Sequence, residues 1–183
     1  MVPVPMRELR SKTVGIIGFG RIGKRLAQLL QGFDVTLLAY DMFINEEEAA
    51  RLHVKPVSLE ALLSESDVVS LHIPSTPETH HLINRDTIAM MKDGAYLINT
   101  SRGTLVDESA LREALTSGKL TGAALDVYEK EPITEDLTLI PLDNTLLSPH
   151  VAALSTETNY NAGITCAESV IRVFQGGTPL YPI

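Results

Sequence analysis

At 183 residues, with 44% hydrophobic and 21% charged side chains, the sequence suits one globular domain with a real core and little more. No apolar run approaches the roughly 18 residues of a membrane span, and the opening MVPVPMRELR lacks the apolar centre of a signal peptide, so a soluble cytoplasmic protein is expected. A net charge of −8 without a basic cluster argues against nucleic acid as a partner, and any anionic ligand must be held by local cations and amides.

The chain alternates between two kinds of segment. TVGIIG (13–18) is a short β-branched run ending in glycine, and RIGKRLAQLLQG (21–32) then carries apolar residues at helical spacing up to a second glycine stop. VTLLAY (35–40) reads as a strand, and NEEEAARL (45–52) as a helix capped by Asn45 with acids in its first turn. A short helix at 58–66 precedes a strong strand at 67–73. The pattern repeats as a helix at 84–91, a strand at 95–101, a helix at 107–118 and a strand at 122–127. NTLLSPH (144–150) closes the series as a strand ending at His150, and a long helix runs to about Val173. Near-continuous apolar strands separated by helices of about 10 residues imply an α/β, doubly wound, Rossmann-like parallel sheet covered on both faces. Ligands of such sheets bind at the carboxyl ends of the strands, so the residues there decide function.

Gly18-Phe19-Gly20-Arg21-Ile22-Gly23 is a G-x-G-x-x-G between a strand and a helix. Its glycines permit a tight turn, the approach of a pyrophosphate and close helix–strand packing. Asp41 closes the second strand at about the 20-residue separation at which a carboxylate meets the ribose hydroxyls, which favours NAD over NADP. The alternative is a packing turn with Asp41 as a chance helix cap. Three further strand ends carry polar residues: Thr100, Ser101 and Arg102; Asp126, followed by Glu129 and Glu131; and His150. An arginine, an acid and a histidine beside a dinucleotide suit hydride chemistry, because alcohol oxidation needs a base near neutrality and an orienting cation. Set against these, His72 reads as lining the adenine side or capping the sheet edge. His53, His80 and His81 read as solvated loop residues, Glu129 and Lys130 as turn charges, and Cys166 as a small buried apolar residue.

These motifs resemble the D-isomer-specific 2-hydroxyacid dehydrogenases along nearly the whole chain, from KTVGIIGFGRIG through LHIPSTPETHHLIN, MMKDGAYLINTSRGTLVDESAL and GKLTGAALDVYEKEP to LSPHVAALSTET. LSPHVAALSTET looks most like the phosphoglycerate dehydrogenase-type members. The resemblance implies Arg102 as the substrate-binding arginine, His150 as acid/base and Glu131 as its carboxylate partner. Gly18, Gly20, Arg21, Ile22 and Gly23 would take the NAD pyrophosphate, Asp41 the ribose, Thr100 the cofactor and Asp126 the nicotinamide carboxamide; no metal is implied. Glu131, where formate-type members carry glutamine, favours a small 2-hydroxy or 2-keto acid substrate, and a homodimer is expected.

Family members carry a first segment of about 100 residues, an ordinary domain size, that builds a substrate domain. Here the glycine turn begins at residue 18, so residues 1–183 are expected to be the NAD-binding domain alone, with about 155–183 forming the helix and tail that would rejoin the substrate domain. On that expectation the chain turns over weakly or not at all. A stand-alone NAD(H)-binding sensor, or a substrate domain supplied by another polypeptide, are the alternatives.

Overall fold

The computed structural model describes residues 7–134 and 137–182. They form two compact units, one ending at Pro149 and one beginning at His150.

The first unit is built on seven parallel strands: β1 (Thr13–Ile17), β2 (Thr36–Tyr40), β3 (Val54–Pro56), β4 (Val68–Leu71), β5 (Ala95–Asn99), β6 (Leu120–Leu125) and β7 (Thr145–Leu147), in the order β3-β2-β1-β4-β5-β6-β7. Five helices connect them: α1 (Arg21–Leu30), α2 (Glu46–Arg51), α3 (Leu59–Glu65), α4 (Arg85–Met90) and α5 (Glu108–Ser117). The order reverses at β1, with β2 on one side and β4 on the other, which opens a crevice above its carboxyl end.

Alternation along the strands divides the apolar residues between two layers. Val14, Ile16, Leu37 and Ala39 pack with Ala27 of α1 and Ala49 of α2. Ile17, Leu38, Val69, Leu71, Leu97 and Leu125 join Leu62 and Leu63 of α3, Ile88 of α4 and Leu111 and Leu115 of α5 in the larger layer. The expected cover on both faces holds around β1. Along β5 only Ala95, Leu97 and Asn99 are buried, and Tyr96 and Ile98 on the other face are half-buried.

Side-chain caps set most helix starts. Asn45 accepts from the Glu48 amide and Ser58 from that of Ala61, Asn84 and Thr87 form a reciprocal capping box, and Asp107 accepts from Ser109 and Ala110. Gly32, expected to stop the first helix, does not. The α-helix ends at Leu30, a 3-10 turn runs through Gln31–Phe33, and Asp34 takes the left-handed position at φ 52°. The short edge strand β3 escapes sequence reading because Lys and Pro fill two of its three positions. Pro56 is tolerated at an edge, where the missing N–H breaks no ladder.

The second unit contains α6 (Thr156–Phe174), capped by Ser155. Cys166 is exposed, contrary to expectation, because α6 carries no buried residue. Within this unit the Leu180 amide donates to Ser169 Oγ.

Candidate functional site

Parallel pairing puts the ends of β1, β2, β4, β5 and β6 on one edge of the first unit. Gly18, directly after β1, sits at φ 96°, and a Cβ there would come within 2.6 Å of the His72 backbone after β4. Gly23, inside α1, is buried, and its Cβ would lie 2.1 Å from the Gly18 carbonyl oxygen. Gly20 differs, since nothing lies within 4 Å of a Cβ at that position. Two glycines are thus fixed by packing, and the middle one faces open space.

Among the described residues, α1 alone of the six helices has neither a side-chain cap nor an acid in its first turn. Its ten residues begin with Arg21 and Ile22, both exposed, Ile22 at 68%. An uncapped N-terminus with an adjoining cation and an open glycine is a site for an anion. Asp41, directly after β2, is half-buried; one carboxylate oxygen accepts the Phe19 amide at 2.7 Å and the other accepts the Phe43 amide at 2.9 Å. It therefore ties the glycine turn to the end of β2. It is no helix cap, because Asn45 caps α2. Open Gly20, the bare helix start and the Asp41 carboxylate fit a dinucleotide's pyrophosphate and ribose.

After β5, the Asn99 side chain accepts from the Ser101 amide and donates to the Arg102 carbonyl, while Ser101 Oγ donates to the Ile73 carbonyl at 2.5 Å. Thr100 and Arg102 are exposed beyond it, and Arg102 Nη1 donates to the Ser101 carbonyl at 2.6 Å. Gly103, directly after Arg102, is closely packed. A Cβ there would lie 1.8 Å from the Tyr128 carbonyl carbon and 2.5 Å from the Glu129 nitrogen, so the Arg102 loop rests against the loop after β6.

On that second loop Asp126 is buried and accepts from Ser148 Oγ at 2.6 Å. Glu131, beside the cis Glu131–Pro132 bond, accepts the Tyr128 amide at 3.0 Å. The Tyr128 hydroxyl donates to the Leu125 and Ser148 carbonyls; burial, together with the nearby Asp126, Glu108 and Glu131, pushes its phenol above the usual range.

The first unit thus brings Gly18, Gly20, Arg21, Ile22, Gly23, Asp41, Thr100, Arg102, Asp126 and Glu131 to one sheet edge. His150 opens the second unit. It lies three residues past β7 rather than on it, at φ 55°; Pro149 has no N–H for the ladder. Two expected bystanders have defined partners. His72 hydrogen-bonds Ser70 Oγ at 2.9 Å, and burial lowers its pKa. His81, expected to be a solvated loop residue, instead pairs with Glu129 at 2.7 Å. Sequence reasoning also missed Ser148, whose role depends on β7 lying beside β6. A separate cavity of about 150 Å³, lined by Arg7, Lys12, Asp67, Asp93 and Tyr96, lies at the opposite edge of the sheet.

Residues 2–152 match the family described as D-isomer specific 2-hydroxyacid dehydrogenase, NAD binding domain. The chain belongs to this family. It is 44% identical over 169 residues to a D-3-phosphoglycerate dehydrogenase from Archaeoglobus fulgidus, covering 92% of this chain and 32% of that protein. It is 44% identical over 172 residues to a glyoxylate reductase from Korarchaeum cryptofilum, covering 94% and 52%. A D-lactate dehydrogenase from Lactobacillus jensenii, solved with NAD+, superposes with a TM-score of 0.86 at 29% identity, over 94% of this chain and 55% of that one. The chain therefore spans a third to about half the length of these relatives. Its cofactor is NAD, as the family's domain description states. Among the described residues no helix is long and apolar enough to cross a membrane.

Proposed function

We propose that this chain is the cofactor-binding part of a D-2-hydroxyacid dehydrogenase that interconverts a small 2-hydroxy acid and its 2-keto acid, with 3-phosphoglycerate as the first substrate to test. One observation carries the reading: the uncapped α1, open Gly20 and Asp41 share a sheet edge with Arg102, Asp126 and Glu131. An anion cradle used only for binding has no need of an exposed arginine on the neighbouring loop.

Bound NAD supplies the hydride acceptor in the oxidation direction. Gly18, Gly20, Arg21, Ile22 and Gly23 hold the pyrophosphate through the α1 amides and the arginine. Asp41 accepts from the ribose hydroxyls, Thr100 contacts the cofactor, and Asp126 receives the nicotinamide carboxamide N–H. Arg102 grips the substrate carboxylate through paired donors, which orients the carbinol carbon. His150 acts as the base that takes the hydroxyl proton, with Glu131 as its proposed carboxylate partner. Glu131 also separates this reading from formate oxidation, where the chain would resemble glutamine-bearing members. Cytoplasmic location, a homodimer and a substrate grip completed by a further domain belong to the same proposal.

The test has two stages. NADH is titrated into the chain by fluorescence, and saturable binding is expected; its absence in the folded protein refutes the cofactor site. Turnover with phosphoglycerate, glycerate, glyoxylate and lactate is then measured in this chain and in any longer polypeptide containing it. In such a longer polypeptide Arg102→Ala or His150→Ala is expected to abolish turnover and preserve NADH affinity, and near-normal rates reject these roles.

A further inference from the structure

The loops after β4, β5 and β6 are joined by a network in which His81 occupies an unusual position. Its φ is 50°, in the left-handed region that few non-glycine residues adopt, although histidine, like Asn and Asp, is enriched there. Its amide donates to the Thr104 carbonyl at 2.8 Å, its ring stacks on His80 with centroids 3.9 Å apart, and Nε2 donates to Glu129 Oε1 at 2.7 Å. A strained backbone held by its surroundings marks a place where the side chain matters.

Glu129 is fixed at both ends. Its amide donates to Glu108 Oε1 at 2.8 Å, and the Glu108 amide reaches back to Glu129 Oε1 at 3.4 Å. The Tyr128–Glu129 peptide is the surface on which Gly103 rests without room for a methyl group. Gly103 in turn follows Arg102, whose carbonyl is held by Asn99. A continuous path of contacts therefore runs from the His81 ring through Glu129 and Gly103 to Arg102.

We propose that His81 and Glu129 are positioning residues for Arg102: their pair clamps the loops after β4 and β6 around the Gly103 turn and so sets the direction of the guanidinium. The inference rests on the reading of Arg102 as the substrate cation, and it adds two residues that do not themselves touch substrate. Because the path is short and made of backbone contacts and one charge-assisted bond, loosening it acts on Arg102 before it acts on the sheet.

The test reads Arg102 directly. The chain is treated with phenylglyoxal, and modification at each arginine is followed by mass spectrometry in the wild type, His81→Gly, Glu129→Gln and His81→Lys. Glycine suits the left-handed backbone, so His81→Gly removes the ring without threatening the fold, and its melting temperature should be unchanged or raised. Arg102 should react at least about threefold faster in His81→Gly and Glu129→Gln, with Arg25 and Arg112 unchanged. His81→Lys, which again places an N–H donor opposite Glu129, should bring the rate back toward wild type. An unchanged Arg102 rate overturns the proposal, as does acceleration shared by Arg25 and Arg112 or one that lysine fails to reverse. NADH titration of the same variants separates the two conclusions: a chain that binds no NADH but shows the Arg102 response refutes the function above and supports the clamp.

Discussion

Replacing Gly23 and Gly20 separately by alanine should separate damage to stability from damage to binding, because only the first meets packed atoms. The Gly23 methyl would sit 2.1 Å from the Gly18 carbonyl oxygen and 3.1 Å from Ile16 Cγ2. The first contact falls more than roughly 1 Å short of van der Waals separation, against a backbone atom that cannot rotate away. Overpacking of this kind costs about 1–3 kcal/mol, and the upper half applies here. Alanine returns about 0.8–1 kcal/mol of helix propensity inside α1, which leaves a net loss of about 1–2 kcal/mol. At about 2–4 °C per kcal/mol for a chain of this size, the melting temperature should fall by about 2–8 °C. Relief of the clash moves the start of α1 away from the turn, so NADH affinity should also weaken at least about tenfold, equivalent to about 1.4 kcal/mol. Gly20→Ala meets no atom within 4 Å, so its stability should stay within about 0.5 kcal/mol of wild type. Its methyl fills the cradle, so NADH affinity should again fall at least about tenfold. Differential scanning fluorimetry and NADH fluorescence titration read both quantities. Wild-type stability in Gly23→Ala would refute the packing argument, and wild-type affinity in Gly20→Ala would refute the location of the cradle.

Asp41→Ala should raise the NADH dissociation constant at least about tenfold, because it removes both the proposed ribose acceptor and the anchor of the Phe19 amide; calorimetric titration measures it. Asn84→Ala dismantles the capping box of α4 and should cost about 1 kcal/mol in urea denaturation while leaving NADH affinity unchanged. Burial lowers the His72 pKa, so the folded state favours its neutral ring. That contribution is present above the unfolded value near about 6.5 and is lost as pH falls from there through the lower folded value. Urea midpoints between about pH 7.5 and 5 should therefore decline in the wild type and flatten in His72→Gln; parallel slopes would assign the decline to other groups.

Periodicity and punctuation made most of this architecture legible. Asn45 before three glutamates and Asp107 before a helical run announced their helices because capping is local chemistry. Gly18, Gly23 and Asp41 were legible because their spacing encodes one strand–turn–helix unit and its neighbour. What escaped notice depends on partners distant in sequence. Glu129 looks like a turn charge until His81 is brought to it across 48 positions, and Gly103 looks like a flexible joint until the Tyr128 backbone closes on it. Ser148 gains its bond to Asp126 only through β6–β7 pairing. His150 reads as the end of a strand because NTLLSPH begins as one, but β7 stops at Leu147 and Pro149 has no N–H to extend it. Cys166 reads as buried but is exposed, because a helical stretch with apolar residues signals a face suited to burial, not that anything covers it.

The contact between Gly103 and the Tyr128–Glu129 peptide also limits how such a chain can be redesigned. Two loops that share a wall with no spare volume cannot change length or backbone path independently. A graft of residues 101–107 from a relative would carry the shape of its own 126–131 loop with it, and transplanted alone would meet the wrong surface. Exchanges of substrate preference built on this scaffold should therefore succeed when the two loops are transferred as a pair.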